Sequence, residues 1–147
     1  AAQKMVSEAG GTVLCFSGLY CLEPDRTAFL LNGTTVGRPP NSLVPVVSYP
    51  DAGRAILRAL ETDADIAGET FIISDGNRQT VKDIFAASLT AGKYSPRSTM
   101  PEFAGDVEAQ GAEYDSSKAQ RVLGWTPSSS FAEYCLEMAR RGKIEDA

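Results

Sequence analysis

The sequence predicts an α/β fold built on a parallel sheet, and three observations carry that prediction. Val13 to Phe16 is a short, unbroken apolar run entered from Gly10-Gly11. Gly68 to Ser74 holds a second β-like run, Thr70-Phe-Ile-Ile73. Between them lies Ala52 to Glu61, whose apolar residues recur at helical spacing. A strand with apolar neighbours at successive positions is covered on both faces, which is the habit of a parallel sheet flanked by helices. In such sheets ligands lie beyond the carboxyl ends of the strands, and for the first strand that end is Ser17 to Tyr20. Two strong strands make only an incomplete doubly wound domain.

Taken in order, Ala1 to Ala9 reads as the end of a helix. Met5, Val6 and Ala9 form one apolar side, and Gly10-Gly11 stops it. No cap residue opens this helix, so the chain reads as starting inside it. The strand Thr12 to Phe16 follows, then a loop carrying Tyr20, Pro24 and Arg26. Thr27 to Leu31 reads as a short helix, and Thr34 to Asn41 as loop, since Pro39-Pro40 excludes helix. Ser42 to Val47 is β-like, with Pro45 confining it to an edge or a bulge. Asp51 is the expected cap of the helix Ala52 to Glu61, with Ala52, Ala55, Ile56, Ala59 and Leu60 inward. Asp75-Gly-Asn77 is a turn after the second strand. Thr80 and Asp83 make a capping-box-like start for a helix that buries Val81, Ile84, Phe85, Ser88 and Leu89 and ends at Gly92. Lys93 to Gln110 is polar, Pro-containing and irregular. Ser117 to Leu123 is a short helix stopped by Gly124. Ser130 and Glu133 form the clearest capping box, opening a last helix with Phe131, Tyr134, Cys135 and Met138 inward. Residues 142–147 are expected to fray.

Composition narrows the function. The 147 residues suffice for one domain with a real core, and 43% apolar with 22% charged is ordinary globular usage. A formal charge of −5 without a Lys/Arg cluster lacks the footprint of a nucleic-acid binder. No apolar run approaches the ~20 residues of a membrane span, and the first residues do not read as a secretory leader. Three cysteines without CxxC spacing, Cys15, Cys21 and Cys135, argue against a disulfide framework and for a soluble, reducing compartment. The chain has no histidine. That removes Ser-His-Asp and Cys-His nucleophile activation, HExxH zinc sites and any His base. No metal site is expected.

Four segments together resemble one family. Gly11-Thr-Val-Leu-Cys-Phe-Ser-Gly-Leu-Tyr20 resembles the "G-x-x-V-L-R-x-S/A-G-I/L-Y-G-P-x-R" segment of extended short-chain dehydrogenases/reductases, the NAD-dependent epimerase/dehydratase family. Ser48-Tyr-Pro-Asp-Ala-Gly-Arg-Ala55 is similar to that family's "I-H-x-D-D-x-A-x-A". Gly68-Glu-Thr-Phe-Ile-Ile-Ser-Asp-Gly76 is similar to "G-E-x-Y-N-V-G-x-G". Tyr114-Asp-Ser-Ser-Lys118 with Leu123-Gly-Trp125-Thr-Pro127 resembles "D-x-S-K-x-x-x-x-L-G-W-x-P". The resemblance spans nearly the whole chain but only the second half of the family pattern. No glycine-rich βα turn of the dinucleotide-binding kind is present, and the family's Tyr-x-x-x-Lys would fall upstream of Ala1. Within the match, Cys15 stands in place of Arg, Cys21 in place of Gly, and Ser48 and Pro50 in place of the His and the first Asp. The Gly-Gly-Thr-Val-Leu version of the first motif resembles plant and algal plastid members.

The resemblance implies the C-terminal part of a Rossmann-like parallel sheet, in residues 1–20, followed by a small substrate-binding α/β lobe in 21–147. It implies NAD or NADP as cofactor of a full-length relative, with none expected for these 147 residues alone. Phe16, Ser17, Gly18, Leu19 and Tyr20 are then the nicotinamide-side residues. Arg26, Arg38 and Arg54 are the candidates for an anionic small-molecule substrate, since Arg pairs bidentately with phosphate or carboxylate. No catalytic residue is assigned. Tyr114 and Lys118 match Tyr-x-x-x-Lys by letter, but Asp115, Ser116 and Ser117 read as cap residues, which places Tyr114 before the helix. Two other readings share the scaffold: a non-catalytic binding or regulatory module, and a half completed by a partner chain or a dimer through an exposed Thr12–Phe16 edge.

Overall fold

Both apolar runs become strands in the computed structural model of the protein, and they lie side by side. The structure describes residues 1–21, 35–90, 99–103 and 108–145, with the backbone alone for 142–145. The expected helix Thr27–Leu31, Arg26 and the stop at Gly92 lie outside the described residues. Strand β1 (Val13–Phe16) pairs in parallel with β5 (Thr70–Ile73), in the register Val13↔Thr70 to Phe16↔Ile73. This is the predicted α/β arrangement of parallel strands joined through helices.

After Phe16 the chain stays extended where a loop was expected. Gly18–Tyr20 forms β2, which pairs in parallel with β4 (Val46–Ser48). Pro45 sits just outside β4, where its missing N–H removes no ladder bond. Two further corrections concern stretches read as irregular. Thr35–Val36 (β3) and Glu102–Phe103 (β6) form a short parallel pair. Leu43 also makes a single bridge to Thr80.

Helix α1 (Ala2–Glu8) ends before Gly10, whose φ of 81° suits only glycine comfortably. Its packing differs from expectation. Gln3 donates to Cys15 Sγ at 3.3 Å, and Ser7 and Thr70 hydroxyls approach at 3.4 Å. These polar residues face the sheet, and no residue of α1 is buried. Met5 is 70% exposed.

Helix α2 (Tyr49–Glu61) starts earlier than its apolar spacing suggested. Ser48, not Asp51, is the cap: its hydroxyl accepts from Asp51 N–H at 3.1 Å, and a proline stands in the first turn. Ala52 and Ala55 are buried, but Ile56 is exposed and Leu60 is 77% exposed. The stripe read from the sequence is therefore split: its alanines pack inward and its large residues face out.

Helices α3 (Val81–Thr90) and α5 (Phe131–Glu145) begin as expected. Thr80 N–H and hydroxyl donate to Asp83, whose N–H returns to Thr80 Oγ1 at 3.2 Å. Ser130 and Glu133 repeat the pattern. Helix α5 runs to Glu145, past the point where fraying was expected. Helix α4 (Ser117–Leu123) ends at Gly124 with φ 60°, a left-handed cap.

The core lies on both sides of β4. Val46 packs with Tyr20, Ile84, Phe131 and Cys135, and Val47 with Phe71, Ile73, Leu123 and Trp125. Successive residues of a strand point to opposite faces, so a two-sided core requires two adjacent valines. A third cluster joins Val36, Val81 and Phe85.

Candidate functional site

The first strand changes partner at Ser17. Ser17 N–H still bonds to Ile73 C=O of β5 at 3.0 Å, but Gly18 N–H bonds to Pro45 C=O, ahead of β4, at 3.1 Å. Asp75 N–H closes the third side on Val46 C=O at 2.8 Å. The carboxyl ends of β1 and β5 and the amino end of β4 thus meet around one residue; in open α/β sheets ligands lie beyond carboxyl ends such as those of β1 and β5.

Two polar atoms at this junction stand out. Ser17 is 8% exposed and its hydroxyl has no hydrogen-bond partner among the described residues; the Tyr20 hydroxyl has none of good geometry, with the Ser129 side chain beside it. A buried hydroxyl without a partner costs about 1–3 kcal/mol. Phe16 packs half-buried beneath the junction, while Gly18 and Leu19 are exposed above it. A Cβ on Gly18 would lie 3.2 Å from the Pro45 carbonyl, so glycine serves the close passage of the two strands.

Tyr20 faces inward. Its ring meets Phe131 edge-on at 4.8 Å and Tyr134 at 5.3 Å. Burial pushes its phenol well above the ordinary range, and the carboxylates of Asp75 and Asp51 and the thiol of Cys135 push it further. It is neutral at any physiological pH and can donate a hydrogen bond but cannot serve as a base. Asp75, at the end of β5, is also raised by burial, against bonds from Asn77 N–H (3.0 Å) and Gln79 Nε2 (3.3 Å).

The sequence-predicted substrate arginines do not gather at this junction. Arg26 lies outside the described residues. Arg38 is exposed in the bend after β3. Arg54 is engaged: its guanidinium pairs with Asp51 and donates to Thr126 C=O at 2.9 Å. Asp51, read from the sequence as a cap, has a clamping role that sequence reasoning missed. It is fully buried, and its carboxylate accepts from Ser128 N–H (3.1 Å) and Ser128 Oγ (2.8 Å), while its carbonyl takes the Trp125 indole N–H at 3.0 Å. It clamps the segment after α4 onto α2. An Asp beside a helix cap is too common a pattern to have revealed this.

Tyr114 lies outside α4 and does not share a helical face with Lys118. Tyr114 is exposed ahead of α4, and Asp115 accepts from Ser117 N–H at 2.8 Å. Lys118 turns away, to Glu69 and to Thr70 C=O at 2.9 Å, and lies over the Phe71 ring. Beside Tyr114 a cleft of about 300 Å³ opens at the end of β5, lined by Pro45, Ser74, Asn77, Gln79, Tyr114 and Ser116.

A phosphate cradle is missing among the described residues. Ser48 fills the amino end of α2, and Thr80 with Asp83 that of α3. Ser130 with Glu133 fills that of α5. Each helix of eight or more residues thus has a side chain of its own accepting from one or two of its first N–H groups, and in two of them a first-turn carboxylate is one of the acceptors. No metal-binding cluster of His, Cys, Asp and Glu occurs among the described residues, and no described helix is long and apolar enough to cross a membrane.

Parallel strands with returning helices and a partner switch at the strand ends define part of a Rossmann-like α/β fold. No protein-family model and no curated relative matches the sequence. Solved structures do match the fold. The UDP-glucuronic acid 4-epimerase of Bacillus cereus, with UDP-glucuronic acid and NAD, superposes with a TM-score of 0.68 at 20% identity, over 90% of this chain and 46% of that one. The UDP-glucose 4-epimerase of Stenotrophomonas maltophila, with NAD and a formylated UDP-arabinopyranose, gives 0.70 at 16% identity, over 98% and 54%. RMD of Pseudomonas aeruginosa, complexed with NADPH, gives 0.70 at 13%, over 99% and 53%. The chain spans about half the length of these structures.

Proposed function

We propose that this chain is the substrate-side half of an NAD(P)-dependent epimerase, dehydratase or reductase acting on a sugar-like or other small hydroxyl or carbonyl substrate. The partner switch at Ser17 carries the reading: it leaves a buried hydroxyl without a partner at the strand ends, in a fold whose solved neighbours hold NAD, NADPH or UDP-sugars. Ser17 to Leu19 fit the nicotinamide side, with Gly18 and Leu19 exposed at the surface and the unpartnered Ser17 hydroxyl buried beside them. The dinucleotide, when bound, supplies the hydride chemistry. Phe16 and Tyr20 hold the strand end in place from below. Arg38, which is exposed and has no ion pair among the described residues, fits a substrate anion better than Arg54, and Arg26 stays a candidate. The division after Tyr20 into sheet and substrate lobe belongs to the same reading.

Self-capped helices support a second element of the proposal: the phosphates of the dinucleotide bind elsewhere in a complete enzyme, so these residues alone bind it negligibly. Calorimetry on the 147-residue chain with NAD⁺, NADPH and UDP-glucose tests this. The expected result is no saturable dinucleotide binding below about 1 mM, a free energy of about −4 kcal/mol. Micromolar NAD⁺ or NADPH binding by this chain overturns the proposal.

A further inference from the structure

Asp75, just past the end of β5, is 6% exposed and ties together separate parts of the chain. Its N–H donates to Val46 C=O of β4 at 2.8 Å. Its carboxylate accepts from Asn77 N–H at 3.0 Å and from Gln79 Nε2 at 3.3 Å. The N–H of Phe131, the first residue of α5, is turned to the same carboxylate and favours its charge. The capping box of α5 engages the N–H groups of Ser130 and Glu133. Phe131 N–H is one of the helix's remaining early donors, and its acceptor comes from the end of β5. The ring of Phe131 then carries the connection to the strand junction. It meets Tyr20 edge-on at 4.8 Å, and Tyr134, one turn on, meets Tyr20 at 5.3 Å. Tyr20 ends β2, which begins directly after Ser17.

The titratable groups on the elements packed around Asp75 bring no positive charge to it. The Tyr20 phenol of β2 lies nearby, with Asp51 of α2 and Cys135 of α5 around that same ring. Asp83 of α3 and Glu133 of α5 are held in their own capping boxes. Each of these groups is neutral or negative. Arg78, three residues on, is 75% exposed and pairs with Glu113 at 3.1 Å. Burial therefore outweighs the donors around the carboxylate and holds Asp75 above its ordinary range.

We propose that Asp75 is a positioning residue under proton control: a latch between the end of β5 and the start of α5 that holds Phe131 and Tyr20, and with them the strand end beside Ser17, more firmly when protonated than when ionised. In an open arrangement the first turn of α5 stands away from β5 and Asp75 meets water, where its carboxyl is ordinary. The closed arrangement binds the proton more tightly. Rising pH therefore shifts the balance toward the open arrangement, and falling pH toward the closed one. Where the junction at Ser17 serves a ligand, the latch regulates that site, and this part of the inference rests on the proposed function. The latch itself does not.

NMR of the 147-residue chain tests the latch, by carbon-13 titration of the Asp75 carboxyl and by amide exchange at about pH 4 and about pH 7, corrected for the intrinsic exchange rate. Tyr134 N–H, which donates to Ser130 C=O at 3.0 Å, reports on the first turn of α5. Ile84 N–H, which donates to Thr80 C=O at 3.1 Å, is the reference in α3. The Asp75 carboxyl should titrate above the ordinary carboxylate range, and the Ser17 and Tyr20 resonances should shift with it. Over the same interval the protection of Tyr134 should fall at least about 3-fold more than that of Ile84. In Asp75→Asn that difference should vanish; if the variant does not fold, the wild-type titration decides alone. An Asp75 carboxyl that titrates in the ordinary range overturns the inference. So do Ser17 and Tyr20 resonances that ignore its titration, a fall shared equally by Tyr134 and Ile84, or a difference that persists in Asp75→Asn. No ligand enters the experiment, so its failure leaves the proposed function standing, and failure of that reading leaves the latch in place.

Discussion

Asp51 shows how much one buried carboxylate organises. It has no exposed surface, yet it receives two bonds from Ser128 and the charge of Arg54. Replacing its side chain leaves the Ser128 donors unsatisfied and Arg54 without its carboxylate, and loosens the segment after Trp125. Asp51→Ala should lower unfolding stability by about 2–4 kcal/mol, and Ser128→Ala by about 1 kcal/mol, both read from urea midpoints. Asp75 makes a prediction about pH. Burial raises its carboxyl above the unfolded value near 4, so between the two values the native state binds more protons than the unfolded chain. Its contribution to stability is therefore fully present below about pH 4 and falls as pH rises through the native value. The stability of the wild type relative to Asp75→Asn should decline between pH 4 and pH 7 in urea titrations. A wild type that gains on the variant over that range would show the carboxyl to be lowered instead.

At the scale of elements, the helix starts were legible because capping is local. Thr80 with Asp83 and Ser130 with Glu133 need only three residues of separation to identify, and both boxes formed. The start of α2 was misread for a related reason: Ser48 and Asp51 are both good cap residues, and the choice between them depended on Ser48 ending β4. Glycines of these elements give contrasting expectations. Gly111 has φ 98°, and a Cβ there would lie 2.2 Å from Leu43 C=O. Gly53 sits inside α2 with nothing within 4 Å of such a Cβ. Gly111→Ala should destabilise by about 2 kcal/mol or more, whereas Gly53→Ala should stabilise by about 0.5–1 kcal/mol, in the same thermal or urea series.

For the whole molecule, the distribution of apolar surface is uneven. The core wraps both faces of β4, while Met5, Ile56, Leu57 and Leu60 stay exposed. Because the two clusters share β4, the 147-residue chain should unfold in a single urea transition. Two separated transitions would mean that the clusters on the two faces of β4 do not form one cooperative core.

The sequence by itself determined the two strands, the helix that joins them, the capping boxes and the stop at Gly124. Each depends on residues within a few positions of one another, where periodicity, caps and left-handed glycine act. It also pointed to Ser17 as the end of a strand facing a ligand. Only the tertiary structure decided that the strand switches partner there and that Tyr20 turns inward. It also decided that Arg54 is held by Asp51, and that Ser116 and Lys118 cap the outer edge of β5. Apart from the Asp51–Arg54 pair, three residues apart, those outcomes depend on segments far apart in the chain, such as Ser74 with Val46 and Tyr20 with Phe131. Local propensity carries no information about which distant group will arrive, so packing and hydrogen-bond satisfaction settle the matter after the elements have formed.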